Sequence, residues 1–143
     1  MGGIADADSA EHGSASTNLL ITPITCQPPR AGARELPGGN RMRVQPGSLL
    51  HSLVDAAEIE AEFWCNYGVN TAYQSPLETA GVVPVAFGAA GEWRAIELRG
   101  HPFFLATLFL PQRDSAPGRP SPVLVGFLRA VYSAANRDSC AAH

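Results

Sequence analysis

Eight consecutive residues, FFLATLFL from Phe103 to Leu110, contain one polar side chain, Thr107, and no alternation of apolar with polar positions. A strand that offers apolar side chains on both faces must be covered on both faces, so the run predicts a layered domain with this segment as its central strand. His101-Pro102 ahead of it and the Pro- and Gly-rich PQRDSAPGRPSP behind it confine the strand to that length.

The remaining elements are short and punctuated. LLITPI (Leu19 to Ile24) is a β-type run closed by proline, and QPPRAGARELPGGN after it is too rich in Pro and Gly for a regular element. RMRV gives a brief strand around Met42 to Val44, ended by a Pro46-Gly47 turn. In HSLVDAAEIEAEFWC the Ala and Glu content favours helix. IEAEFW, however, alternates at period two with Ile59, Ala61 and Phe63 on one side, which predicts a strand near Glu60 to Cys65. Ser75-Pro76 is a helix start that closes on Gly81, and VVPVAFGAAGEWRAIELRG is a hairpin turning at Gly88 to Gly91. Ser121-Pro122 opens a second helix over Pro122 to Ser133, with Leu124, Phe127, Leu128 and Val131 on one face. The domain is expected to span 1–136, with 137–143 a frayed tail. This is strand-heavy for an α/β chain, because a parallel sheet needs more crossover helices than two.

Charge and residue usage narrow the chemistry. A net charge of −3 supplies no basic field, so neither a nucleic acid nor a membrane surface is an expected partner. All ten basic residues are arginine, which excludes Schiff-base chemistry and a P-loop lysine. MGGIADADSAEHGSAST is acidic where a signal peptide is basic and has no apolar core, and no run reaches membrane-spanning length, so a cytoplasmic protein is expected. Three widely spaced cysteines, Cys26, Cys65 and Cys140, fit neither a disulfide framework nor a CxxC metal site, and no cofactor is implied.

Three segments, in order, carry a resemblance. They are GIADADSAEH, FWCNYGVN and a stretch without gaps from His101 to Ala130 that opens HPFFLATLFLPQRDS. Together they resemble the later half of the class I glutamine amidotransferase domain of the CTP synthase family, where the counterparts are Ala-Asn-Ser-Thr-Glu, Arg-His-Arg-Tyr-Glu-Val-Asn, and His-Pro-Phe-Phe followed by Gln-Phe-His-Pro-Glu. ATLFLPQ with CNYG is closest to a divergent group related to the CTP synthase C-terminal region. The resemblance implies part of a three-layer, flavodoxin-like α/β fold, strand-rich with a C-terminal helix. In the family a cysteine thiolate attacks the amide of glutamine, assisted by a histidine that a glutamate orients. No Gly-x-Cys-x-Gly turn occurs in this chain, and by the family's layout that turn would precede Met1, so a truncated domain is expected.

Inside the best-matched segment, Leu110 and Gln112 stand where the family's histidine and glutamate would be. Leucine accepts no proton, and glutamine has no charge to steady an imidazolium, so the resemblance predicts a pseudoenzyme. In the middle segment Trp64, Cys65 and Asn66 replace the basic residues that help hold glutamine, which removes a carboxylate clamp. Glu11 matches the glutamate that holds the substrate's amide end, and otherwise reads as a solvated turn residue. With Trp64 as an apolar wall, and with Asn66 and Gln112 as neutral hydrogen-bonding groups, Glu11 would suit a small amide or amine better than glutamine. Trp64 and Tyr67 also read as ordinary strand-end aromatics.

Cys65 is a candidate relocated nucleophile, but a strand thiol beside Phe63 and Trp64 reads better as inert. His101 reads as a turn-setting residue, and His12, His51 and His143 lack metal-ligand spacing. The alternative reading is a segment of a glutamine-hydrolysing CTP synthase, acting in pyrimidine nucleotide biosynthesis, whose nucleophile and synthetase domain lie on other sequence. Half a domain exposes an apolar face, so self-association or a complementary protein segment is also expected.

Overall fold

A computed structural model describes residues 4–13, 15–24, 41–61 and 66–141, without the side chains of 138–141. Its elements, in chain order, are β1 (Asp8–Ser9), β2 (Leu19–Pro23), β3 (Arg41–Val44), α1 (Leu49–Val54), β4 (Glu58–Glu60), β5 (Tyr67–Val69), α2 (Gln74–Thr79), β6 (Val82–Phe87), β7 (Trp93–Leu98), β8 (Leu105–Thr107) and α3 (Pro122–Ala141). They form a three-stranded sheet in the order β1-β2-β5 and a five-stranded sheet in the order β4-β3-β6-β7-β8. Every pairing in the larger sheet is antiparallel, and among the described residues only β1 and β2 run parallel. That removes the difficulty of too few helices, since antiparallel neighbours need only hairpins or short links.

The predicted hairpin is the centre of the fold. In β6, Val85 and Ala86 are adjacent and both have no exposed surface, so this strand is covered on both faces. Pro84, which cannot donate to a ladder, lies where the β6–β7 register slips between Pro84 and Ala86, a position a central strand can give to proline. β3 is the strand predicted around Met42 to Val44, and its residues alternate: Met42 and Val44 are buried, while Arg41 and Arg43 stay outside against Glu60 (3.3 Å) and the Phe87 ring (5.2 Å). Leu50, Ala95, Phe109 and Val123 complete the same core.

Helix α1 is fixed at both ends. Ser48 Oγ accepts from His51 N at 3.0 Å, and the Glu97 carboxylate of β7 accepts from Leu49 N and Leu50 N at 3.1 and 2.8 Å. These bonds satisfy amides that a helix start leaves unpaired. At the other end Asp55 takes a left-handed conformation, φ +50°.

Several sequence expectations are corrected. FFLATLFL is in the sheet, but only Leu105–Thr107 forms strand, and it lies at the edge of the five-stranded order rather than its centre. Its apolar side chains reach cover through the turn that follows, where Phe109 is buried. A strand forms at Glu58–Glu60, where Ile59 pairs with Met42, and most of the strand predicted near Glu60 to Cys65, residues 62–65, lies outside the described residues.

Ser75 does not cap α2. A 3-10 turn, Thr71–Tyr73, precedes the helix, and Asn70 Oδ1 caps that turn by accepting from Ala72 N at 3.1 Å, which leaves Ser75 and Pro76 inside the first turn. The loop predicted over Gln27 to Asn40 also falls outside the described residues. Helix α3 starts at Pro122 as expected, with Ser121 O accepting from Val125 N at 3.0 Å, but it runs on to Ala141.

The face of α3 is also reversed. Leu124, Phe127, Leu128 and Val131 are 39–64% exposed, whereas Val123 and Gly126 are buried. α3 packs on α1 through its small residues. A Cβ on Gly126 would collide with Leu53 Cδ2, so glycine is what permits that approach.

Candidate functional site

The smaller sheet meets the larger one at β5 and β7, and between them lies a cleft of about 330 Å³, the size of a small-ligand pocket. Glu11 stands at this cleft. Its position follows from a capped 3-10 turn, Ala10–His12, in which Ser9 Oγ accepts from Glu11 N at 3.2 Å and Gly13 closes the turn at φ +65°. The side chain of Glu11 is exposed and shares the cleft with Ser9, Tyr67, Arg94 and Thr107. The rest of the wall is apolar and includes Ile21, Val69, Trp93 and Leu108.

Gly68 keeps this wall thin. A Cβ there would lie 2.8 Å from Ile24 Cγ1, so any larger residue would have to displace the Ile24 side chain that packs over it. The two strands are held together by Ile24 N donating to Asn66 O at 2.8 Å and by Asn70 Nδ2 donating to Leu19 O at 2.8 Å. Tyr73 donates from its hydroxyl to Asn18 Oδ1 at 3.2 Å and joins α2's approach to the start of β2.

Arg94 is the one buried cation of the cleft wall among the described residues, at 2% exposure. Its Nε donates to Glu92 Oε1 at 3.1 Å, and its terminal nitrogen Nη2 reaches the same oxygen. Glu92 Oε2 also accepts from Ala90 N at 3.0 Å, so the hairpin turn holds the carboxylate in place. Glu11, Glu92 and Arg94 together leave one formal negative charge near the cleft, which favours a donor-rich or cationic guest over an acid.

Leu110 and Gln112, the two positions singled out by the resemblance, follow β8. Leu108 N donates to Arg94 O at 2.9 Å and Thr107 Oγ1 donates to Phe109 O at 2.9 Å, so the segment is tied to β7 and to itself. Leu110 is half-buried and precedes a 3-10 turn, Pro111–Asp114, in which Gln112 is exposed. Leu108 and Thr107 line the cleft with Glu11, while Leu110 and Gln112 do not.

The predicted site residues are therefore only partly brought together. Glu11 and Tyr67 share the cleft. Asn66 is exposed, uses its backbone carbonyl to hold β2 and is not a wall residue, so its placement and that of Gln112 depart from the expected pocket. Trp64 and Cys65 lie outside the described residues. His101 behaves as a turn residue: its Nδ1 accepts from Phe103 N at 3.2 Å, and its ring stands edge-on to Phe104 at 5.9 Å. No metal-binding group of His, Cys, Asp or Glu occurs among the described residues, and no described helix is long and apolar enough to cross a membrane.

Sequence reading missed Ser9, Arg94 and Thr107. A signal for Arg94 existed in Glu92-Trp93-Arg94, since residues two apart on a strand share a face and can pair there. Nothing local marked that this face would meet Glu11.

No protein-family model matches the chain. A CTP synthase of Archaeoglobus fulgidus is 34% identical over 135 residues, covering 90% of this chain and 25% of that protein. A CTP synthase of Thermus thermophilus is 42% identical over 98 residues, covering 64% of this chain and 18% of the relative. The chain thus spans about a quarter or less of the curated relatives it matches. Among solved structures, the glutaminase domain of Trypanosoma brucei CTPS with bound acivicin superposes with a TM-score of 0.80 at 26% identity, over 92% of this chain and 53% of that one.

Proposed function

We propose that this chain, a relative of the CTP synthase glutaminase region with the fold of part of a class I glutamine amidotransferase domain, binds a small amide or amine and does not hydrolyse glutamine. The observation that carries the reading is the pair Leu110 and Gln112 at the end of the β8 segment. A leucine there offers no nitrogen to take or return a proton, and Gln112 is exposed, neutral and outside the cleft, so the acid-base step of glutaminase chemistry has no agent at those positions.

Binding is supported by what stays in the cleft. Glu11 accepts hydrogen bonds from an amide or ammonium group, apolar walls surround it, and Arg94 is engaged by Glu92 instead of standing ready to clamp a ligand carboxylate. Trp64, predicted beside Glu11, joins this reading as a sequence candidate, tested by Trp64→Ala. Isothermal titration of the chain with a panel of small amides, amines and glutamine is the measurement. Binding of a non-acidic amide or amine that falls at least tenfold in Glu11→Ala is expected; binding of glutamine alone, or binding indifferent to Glu11, overturns it.

The second reading is a glutamine-hydrolysing CTP synthase segment, favoured by the 34% identity that extends over 90% of the chain. Ammonia release from glutamine separates the two. No turnover is expected, and turnover lost in Cys65→Ser would overturn the non-hydrolysing reading.

A further inference from the structure

The ion pair at the start of β7 is built like a ligand site. Arg94 is 2% exposed, and two of its nitrogens, Nε at 3.1 Å and Nη2, donate to one oxygen of Glu92, Oε1. The other oxygen, Oε2, accepts from Ala90 N at 3.0 Å. A forked guanidinium on one oxygen and a backbone amide on the other are the donors with which proteins recognise a carboxylate. Here the carboxylate is the chain's own.

The surroundings are fitted to that group and do not depend on it. Gly88 is not in the left-handed region, so its backbone conformation does not call for glycine. Space does: a Cβ at Gly88 would run into Glu92 Oε1. The turn is closed by Gly88 N donating to Glu92 O at 2.9 Å and by Gly91 N donating to Gly88 O at 3.0 Å. Backbone bonds therefore present Ala90 N, and the seat outlasts the loss of the Glu92 side chain.

The seat is also within reach of a guest. A cavity of about 460 Å³ lies beside it, lined by Ala90, Gly91 and Glu92 of the turn and by Asn70, Thr71 and Gln74. The side chain of Glu92 is 20% exposed against 2% for Arg94, so access to the guanidinium runs past the glutamate. Gly68, Val69 and Trp93 border both this cavity and the cleft that holds Glu11.

We propose that Glu92 is a specificity-determining residue: it fills a carboxylate site built by Arg94 and the Gly88–Gly91 turn, and while it is seated small acids are shut out. Its meaning for ligand choice rests on the amide-or-amine reading, because Glu11 attracts a guest's N–H groups while Glu92 cancels a buried cation that would attract an acid.

Removing the carboxylate tests the proposal. In Glu92→Ala the seat is vacated and Arg94 keeps its charge. Acetate should then bind at least about tenfold more tightly than to the wild-type chain, and acetamide, of the same shape without the charge, should gain nothing. Melting temperature against acetate concentration, at ionic strength fixed with sodium chloride, gives the affinity. Glu92→Gln refills the seat with a neutral side chain, and Glu92→Ala combined with Arg94→Met removes both charges, so neither should show the gain. If Glu92→Ala does not fold in chloride alone, acetate and not acetamide should restore a cooperative transition, because a ligand that binds only the folded form stabilises it. The proposal fails if acetate neither binds nor refolds Glu92→Ala, or if the double variant gains as much. Either failure leaves the Glu11 cleft standing, since amide titration of the wild-type chain and Glu11→Ala decides that reading separately.

Discussion

Strands β6 and β8 start from similar sequence and end in different physical positions. VVPVAF and FFLATLFL are both short apolar runs, yet β6 has partners on both sides, β3 and β7, and β8 has β7 alone. In β6, Val85 and Ala86 lose all exposure on consecutive residues, whereas in β8 Leu105 is half-buried and Ala106 is exposed. The comparison teaches that an apolar run states that cover is available, but not on which side. In β8 the cover lies beyond the strand, at Phe109 and in the cleft that Thr107 and Leu108 help to form. A central strand must keep its packing, while an edge strand leading into a turn can exchange residues at its end. Leu110 and Gln112 occupy that tolerant end.

The largest expected effect breaks the central strand. Val85→Asp buries an unpaired carboxylate at a fully covered position and should cost at least about 3 kcal/mol, seen as loss of a cooperative thermal transition. Next is the packing of α3 on α1. Gly126→Val pushes a branched side chain into Leu53 and should destabilise by about 1–3 kcal/mol in a urea melt, whereas Leu128→Glu on the outer face should stay within about 0.5 kcal/mol at low protein concentration. If the two substitutions cost the same, the assignment of inner and outer faces is wrong.

Glu97→Gln sharpens the contrast within β7. It keeps a hydrogen-bond acceptor but removes the charge facing the start of α1, and should cost about 1 kcal/mol in the same melt. The smallest expected effect is at the end of β8. Leu110→His with Gln112→Glu should change stability by no more than about 1 kcal/mol and produce no ammonia from glutamine, because restoring an acid–base pair supplies no nucleophile. Glutamine turnover by that double variant would show that the chain holds a nucleophile and that Leu110 and Gln112 alone silence it.

Legibility in the sequence followed the range of the interaction. The β6–β7 hairpin, the strand around Met42 to Val44, the start of α3 at Pro122 and the turn at His101 are set by neighbours a few residues apart, and the structure has them. The cap of α2 was misread because Asn70 and Ser75 are both competent caps, and the extra 3-10 turn that selects Asn70 has no distinctive residue of its own.

By itself, the sequence determined which residue types are present to do chemistry. Leucine and glutamine follow the β8 run, Glu11 sits in a capped turn, lysine is absent, and α3 carries apolar residues around much of its circumference. Only the tertiary structure decided that β8 is an edge, that α3 buries Val123 and Gly126 while its leucines face outward, and that Glu11 shares a cleft with Arg94 and Thr107. The reason is physical: periodicity records that a side chain is apolar and which way it alternates, whereas the number of neighbouring strands and the closest approach of two helices depend on segments far apart in the chain. Those choices are made when the whole core packs, and no local window contains them.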